Sequence, residues 1–182
     1  MDKFSLPARF IHWSIAILLC VQIPLAWYMT DLPLGPDKFE NYALHKSLGM
    51  LLFTFAVVRL VRAILGQRPE LPPETKRYEK ILAKATQGLL YLLVIIMPIS
   101  GWVMSSAANV PVTLFGLIPL PSLVAPNEEL MKSLKQVHEM QSWLLMTLVL
   151  AHIGAGLKHQ FMNRDNVLYS MLPLLEKREL DR

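Results

Sequence analysis

The sequence predicts an all-α integral membrane protein that folds as one four-helix bundle over residues 1–182. Hydrophobic residues make up 53% of the chain and charged residues only 18%, which lies well outside the composition of ordinary globular domains. The mean hydropathy is +0.38. Four apolar stretches each approach the roughly 20 residues that one membrane-spanning helix needs. We therefore predict four spanning helices, at about residues 8–29, 43–65, 79–105 and 130–162.

The first predicted helix has the outline of a secretory signal, because Lys3 and Arg9 precede its apolar run. That run is about as long as a full span. It also contains Trp13 and Gln22, and it lacks a small-residue cleavage site before Thr30. We therefore expect the first helix to be retained as a membrane span.

The segment joining the second and third helices is the most basic part of the chain. Lys and Arg in short loops favour the cytoplasmic side of a membrane, and those of this segment are Arg59, Arg62, Arg68, Lys76, Arg77, Lys80 and Lys84. The other two loops carry few cations and are expected outside. An even number of spans then places both termini in the cytoplasm, in agreement with the flanking cations Lys3, Arg9, Lys158 and Arg164.

The loop before the fourth helix, at about residues 105–130, interleaves apolar residues with four prolines: Pro111, Pro119, Pro121 and Pro126. Apolar residues and prolines in a loop of this length predict an ordered cap on the outer face. After the fourth helix, the tail from Asp165 mixes apolar and charged residues. We expect that tail to lie along the membrane surface.

Cysteine content and charge narrow the possible functions. The single cysteine, Cys20, excludes an internal disulfide and a Cys-x-x-Cys-His site for covalent haem attachment, and we expect it to serve packing. The net charge of +4 does not indicate nucleic acid, because the cations flank apolar spans and do not alternate with aromatic residues. Membrane lipid is the predicted surrounding partner.

The five histidines all fall on the predicted helices or at their ends: His12, His45, His138, His152 and His159. A lone histidine at a helix end is more often an interfacial residue than a ligand, although ionisable residues inside a span are functional by default. Their depths make these histidines notable. His12 lies near the inner face on the first helix, and His45 lies near the outer face on the second.

The fourth helix supplies a partner at each depth. His138 falls near the outer face, and His152 follows fourteen residues later, which is about 21 Å deeper at the rise of an α-helix. Fourteen steps of about 100° also return a side chain to within about 40° of its starting direction. The sequence therefore predicts two cross-helix pairs, His45 with His138 outside and His12 with His152 inside.

Two imidazoles that face each other across an apolar slot can bind a low-spin haem iron from both sides. Because the chain has no cysteine pair, the haem would be a non-covalent b type. We therefore predict two haem b groups with four axial ligands, namely His12, His45, His138 and His152. Gly49, Gly154 and Gly156 lie close to these ligands and leave room for a porphyrin, although small residues equally serve helix packing in membranes.

Other chemistries fit the pattern less well. A zinc or copper site needs three or four ligands at one depth, whereas these histidines spread over about 21 Å. No acidic residue lies inside the apolar stretches at the centre of these spans, residues 10–29, 44–64, 81–104 and 142–161, which weakens a proton-coupled transporter. Met97 and Met104 are alternative axial ligands, but methionine in apolar helices is normally packing material.

Three further residues are candidates for cofactor binding at the inner face. His159 lies two turns below His152 and is a further ligand, a partner of a haem propionate or quinone carbonyl, or an interfacial residue. We favour a role other than iron ligation. Arg9 and Arg59, with Arg62 nearby, suit pairing with haem propionates, although snorkelling to lipid phosphate is equally ordinary.

Several stretches of the chain resemble the bacterial cytochrome b561 family of small four-helix, di-haem membrane proteins. They are "IHW" at residues 11–13, "LHKSLGMLLF" and "VVRLVR" in the second helix, "PISGWVM" in the third, "LKQVHE" and "AHIGAGLKHQF" in the fourth, and "RDNVLYSMLP" after it. The resemblance covers essentially the whole chain. It implies the same four histidines as haem ligands and a location in the bacterial inner membrane.

The resemblance also implies single-electron transfer, with ubiquinone as partner and an outer-face donor that it leaves open. Superoxide is one candidate donor, which would make the protein a superoxide:ubiquinone oxidoreductase. The alternative is a membrane module such as a small transporter or, with haem, the cytochrome b anchor of a dehydrogenase or hydrogenase complex. Activity that appears only beside a dehydrogenase subunit would identify the anchor.

Overall fold

The computed structural model describes residues 4–66, 72–165 and 167–172. Its helices are α1 (Leu6–Asp31), α2 (Pro36–Leu65), α3 (Arg77–Ala107), α4 (Glu128–Lys158) and the short α5 (Val167–Met171), and a π-helical turn, His159–Asn163, follows α4. Four of these helices are long and apolar enough to cross a membrane. The predicted all-α membrane bundle is thereby confirmed. Lys3, Arg68 and the tail after Leu172, which also entered the predictions, lie outside the described residues.

Local sequence accounts for where the long helices begin. Proline occupies the first turn of α1 and of α2, where its missing N–H would have no intrahelical partner. The side chain of Asn127 caps α4 by accepting a hydrogen bond from the backbone N–H of Leu130 at 2.9 Å. The spans are thus started by proline and capping signals and extended by apolar runs.

The bundle packs as a chain of neighbouring helices. α1 packs on α2, α2 on α3 and α3 on α4, around an apolar core contributed by all four: Ile11, Ile15, Leu19, Leu52, Ala56, Leu93, Val94 and Leu145. Large apolar side chains on the outer surface of the bundle are exposed, as a lipid-facing surface requires, and Cys20 is exposed among them.

The backbone of α4 stands away from α1 and α2. Within the described residues, nearly all Cα atoms of α4 lie more than 8 Å from the Cα atoms of α1 and α2. Side chains therefore have to bridge the space between α4 and the first helix pair. This space is called the slot below.

The loop between α3 and α4, at the end of the bundle predicted to face outward and called the outer end here, is ordered, as the prolines predicted. It contains a hairpin that the sequence did not predict. β1 (Val112–Leu114) pairs antiparallel with β2 (Ile118–Leu120). Ser47 of α2 anchors this hairpin, because its buried hydroxyl donates to the carbonyl of Thr113 at 3.0 Å and accepts from the N–H of Phe115 at 2.9 Å. The cap is thus attached to α2 two residues after His45.

At the end of the bundle that is predicted to face the cytoplasm, called the inner end here, α5 packs against the start of α1. The indole N–H of Trp13 donates to the carbonyl of Met171 at 2.9 Å, and an Arg9 guanidinium N–H donates to the carbonyl of Leu172 at 3.2 Å. The described part of the tail is thus tied to α1 by backbone carbonyls, a contact that its mixed composition did not indicate.

Candidate functional site

Histidines from three helices meet in two pairs across the slot. The rings of His45 on α2 and His138 on α4 have centroids 6.5 Å apart and planes at 77°. The rings of His12 on α1 and His152 on α4 have centroids 6.2 Å apart and planes at 78°. One helix, α4, therefore contributes one ring to each pair.

The sequence spacing explains this arrangement. His138 and His152 are fourteen residues apart on one continuous helix, so both rings leave the same side of α4 at depths that differ by about 21 Å. Since α1 and α2 run in opposite directions, His12 lies at the inner end of one and His45 toward the outer end of the other. Each pair thus joins α4 to a different helix.

The ring separations are compatible with a metal between the rings. Two metal–imidazole bonds of about 2 Å each, added to the distance from each ring centre to its coordinating nitrogen, account for a separation near 6 Å. Edge-to-face aromatic contact falls in the same range. The slot favours a group bound between the rings, because direct ring contact alone gives no reason for the helix backbones to stand so far apart.

The outer pair has one ring with a hydrogen bond and one without. The Nδ1 atom of His138 lies 3.0 Å from the hydroxyl of Ser100 on α3. The Nδ1 atom of His45 is buried and has no hydrogen-bond partner among the described residues, although its backbone carbonyl accepts from the Gln22 amide at 3.0 Å. A buried, unpartnered imidazole nitrogen is costly, and the outer pair therefore fits a ligand that completes it.

Close approach of α3 to the outer pair depends on Gly101. A Cβ atom at this position would lie 3.2 Å from Cε1 of His138. The glycines expected to make room are Gly49, Gly154 and Gly156. A Cβ atom added at Gly49 would lie 3.3 Å from the Gln22 amide nitrogen, and one added at Gly156 would lie 3.8 Å from Leu168. A Cβ atom added at Gly154 would have no described atom within 4 Å. Only Gly101 lies directly against a paired histidine ring.

Two arginines lie near the inner pair, as their sequence positions suggested. Arg59 lies within electrostatic range of both His12 and His152, donates to the carbonyl of Ala8 at 3.1 Å, and has its guanidinium 5.9 Å from the Tyr91 ring centroid.

Arg9 is buried beside the same end of α1. Besides its bond to Leu172, its Nε atom is buried with no hydrogen-bond partner among the described residues. A buried guanidinium with a spare donor is suited to a carboxylate.

His159 is placed away from both pairs. It begins the π-helical turn, and its Nδ1 atom lies 2.6 Å from a carboxylate oxygen of Asp165 and 3.2 Å from the amide nitrogen of Asn163. An imidazole held by a carboxylate at the helix end agrees with a role other than iron ligation, which stays a prediction. Met97 packs against the apolar core.

Sequence reasoning missed three residues around the outer pair: Ser100, Gly101 and Gln141. The stretch "PISGWVM" contains two of them, but helical periodicity alone did not show that this part of α3 faces His138. In the described part of the chain, no three His, Cys, Asp or Glu side chains lie close enough together to form a zinc- or copper-type site with three or more protein ligands. Paired imidazoles are therefore the metal-binding geometry that these residues offer.

Comparison with known proteins covers nearly the whole chain. Residues 3–174 match the family described as prokaryotic cytochrome b561. The chain is 27% identical to cytochrome b561 homolog 2 of Escherichia coli (strain K12), over 94% of this chain and 92% of that protein. It is 24% identical to homolog 1 of the same organism, over 95% and 98% of the two chains. It is 25% identical to the Yersinia pestis protein named "Probable superoxide oxidase CybB", over 94% and 96%.

The contact between Gly101 and His138 yields a test. We expect Gly101→Val to force the His138 ring away from His45, since its Cβ alone would lie 3.2 Å from the ring. Overpacking costs about 1–3 kcal/mol, which corresponds to roughly 5- to 140-fold weaker haem affinity if the strain falls on this pair. The measurement is the haem content of the purified variant during titration with haem.

Gly88→Val is the matched control, because Gly88 lies on the same helix with nothing within 4 Å of an added Cβ. It should bind haem as the unmodified protein does. Equal haem affinity in the two variants would contradict the assigned role of Gly101.

Proposed function

The chain belongs to the prokaryotic cytochrome b561 family, and from that premise we propose that it is a di-haem cytochrome relaying single electrons across the bacterial inner membrane. Family membership and four apolar helices make it a bacterial membrane electron-transfer protein that binds b-type haem. Beyond this, we propose how many haems the chain binds, which residues bind them and which molecules exchange electrons with them. The observation that carries it is the presence of two histidine pairs at opposite ends of one slot.

Each pair would hold one haem by both axial positions. His45 and His138 would bind the outer one, and His12 and His152 the inner one. When bound, the groups supply one-electron iron couples whose potentials depend on ligand identity, hydrogen bonding and burial. Both imidazoles of a pair would hold the haem, which would favour electron transfer over binding and activation of a small molecule.

Arg9 and Arg59 would pair with carboxylates at the inner end of the slot. Both lie beside the His12 end of α1, and Arg9 has a buried Nε atom with a spare donor. Guanidinium groups match carboxylate geometry, and they hold their charge when partly buried. These two residues would thus fix the orientation of the inner haem through its propionates.

Family membership indicates a protein that works with quinones. In our proposal the quinone reacts near the inner face. We assign ubiquinone as the acceptor and place it near His159, which lies seven residues beyond His152 and is held by Asp165. A histidine with one nitrogen fixed by a carboxylate can donate a hydrogen bond from the other to a carbonyl oxygen. Its role would be to orient the quinone, without binding iron.

The electron donor would act at the outer face, and we propose superoxide. Support comes from the relative named as a probable superoxide oxidase, which aligns along 96% of its length. Two superoxide ions would each lose one electron and become dioxygen, while one ubiquinone takes up two electrons and two protons. We also propose that both termini lie in the cytoplasm, because the cations of the α2–α3 segment favour the inner side.

Histidine variants test the haem assignment. We expect two haems per chain, and His45→Ala or His138→Ala should each leave one. His12→Ala or His152→Ala should remove the other, because a bis-histidine site loses an axial ligand in each case. The measurements are haem per protein and the reduced-minus-oxidised spectrum.

His159→Ala is the control for loss of an imidazole from the inner end of α4, and it should keep both haems. A correctly folded, colourless protein would contradict the proposal. The proposal would also be contradicted if His159→Ala lost one haem while a variant of His12, His45, His138 or His152 kept both.

Electron flow tests the proposed reaction. We expect the purified chain, reconstituted in vesicles with ubiquinone and exposed to superoxide generated outside, to form ubiquinol at a rate well above that of protein-free vesicles. Breaking either histidine pair should abolish the difference, because the relay needs both haems. If ubiquinol forms only after a dehydrogenase subunit is added, the chain is a membrane anchor and the superoxide proposal is wrong.

A further inference from the structure

One buried hydroxyl on α3 contacts the outer pair and has no role in the function proposed so far. Ser100 is only 8% exposed. Its Oγ atom lies 3.0 Å from Nδ1 of His138, 2.8 Å from Oε1 of Gln141 and 2.8 Å from the carbonyl oxygen of Met97. A polar group this deep in an apolar bundle is stabilised only when its hydrogen bonds are made.

The number of hydrogens limits the direction of these bonds. A serine hydroxyl has one hydrogen, and a carbonyl oxygen can only accept. Two of the three neighbours of the hydroxyl are such oxygens, so its hydrogen is best used toward one of them, and in that arrangement the hydroxyl accepts from His138. The neutral His138 ring then carries its hydrogen on Nδ1 and its lone pair on Nε2, which is the tautomer that the role inferred below requires.

The neighbouring residue strengthens the case that α3 is shaped around this ring. Gly101 follows Ser100 directly, and its missing side chain lets α3 approach Cε1 of His138. The carbonyl oxygen of Met97, one turn earlier, lies 2.8 Å from the Ser100 hydroxyl. One short segment of α3 thus contacts the His138 ring with a hydroxyl and with a backbone that no side chain covers.

We propose that Ser100 is a positioning residue that fixes the tautomer and orientation of His138 and so sets the midpoint potential of the outer haem. This inference rests on the proposed function, in which His138 is an axial ligand. An acceptor on the second nitrogen of a metal-binding histidine raises the basicity of the ligand. A more basic ligand stabilises ferric over ferrous iron, so Ser100 lowers the potential of the outer haem.

Redox titration of the di-haem protein tests this directly. We expect Ser100→Ala to raise the midpoint potential of the outer haem, because Nδ1 of His138 loses its hydrogen-bond partner Ser100. A tenfold change in the preference of the site for ferric over ferrous iron corresponds to about 59 mV for a one-electron couple. The inner haem serves as the internal reference, and its potential should stay unchanged.

Ser100→Cys is a second variant that keeps a group of similar size but a weaker acceptor. It should shift the same potential in the same direction by less. Ser106→Ala is the matched control, because Ser106 is also a buried hydroxyl on α3 but bonds Trp102 and Leu123. It should leave both potentials unchanged.

Three outcomes are informative. A rise confined to the outer haem, or loss of the outer haem alone in Ser100→Ala, supports the positioning role. Two bound haems with both potentials unchanged in the Ala and Cys variants overturn it and leave the proposed function intact. If the unmodified protein binds no haem between His45 and His138, the proposed function and this inference fail together.

Discussion

The separation between α4 and the first two helices is the constraint on which the molecule depends. Membrane helices usually associate by close backbone packing, and α1 with α2 and α3 with α4 do so here. Across the slot, imidazole rings contact one another in place of the backbones. The helices are therefore separated at two depths, and a pair of imidazole rings lies at each depth.

Few polar groups are buried inside this bundle, and some of them lie beside the histidines. Ser100 holds one ring of the outer pair, Gln22 donates to the backbone carbonyl of His45, and two arginines lie at the inner end. Each is costly to bury in an apolar environment without a partner. Their placement around the slot, with apolar surfaces toward lipid, supports the proposal that the slot holds the cofactors.

The sequence was sufficient for the spans and for the pairing of histidines by depth, because hydropathy and helical rise act along a single helix. It did not identify Ser100, Gln141 or Gly101 as neighbours of the outer pair, because the side of α3 that faces α4 is set by packing between helices. The β1–β2 hairpin was missed for a related reason: its strands have three residues each and are attached by Ser47 of another element.

Locating the irons tests the central claim most directly. Anomalous diffraction at the iron edge from crystals of the haem-loaded protein should give two peaks, one between His45 and His138 and one between His12 and His152, separated by about 21 Å along α4. A single peak, or an iron bound by His159, would contradict the assignment of the slot as the site of two haems.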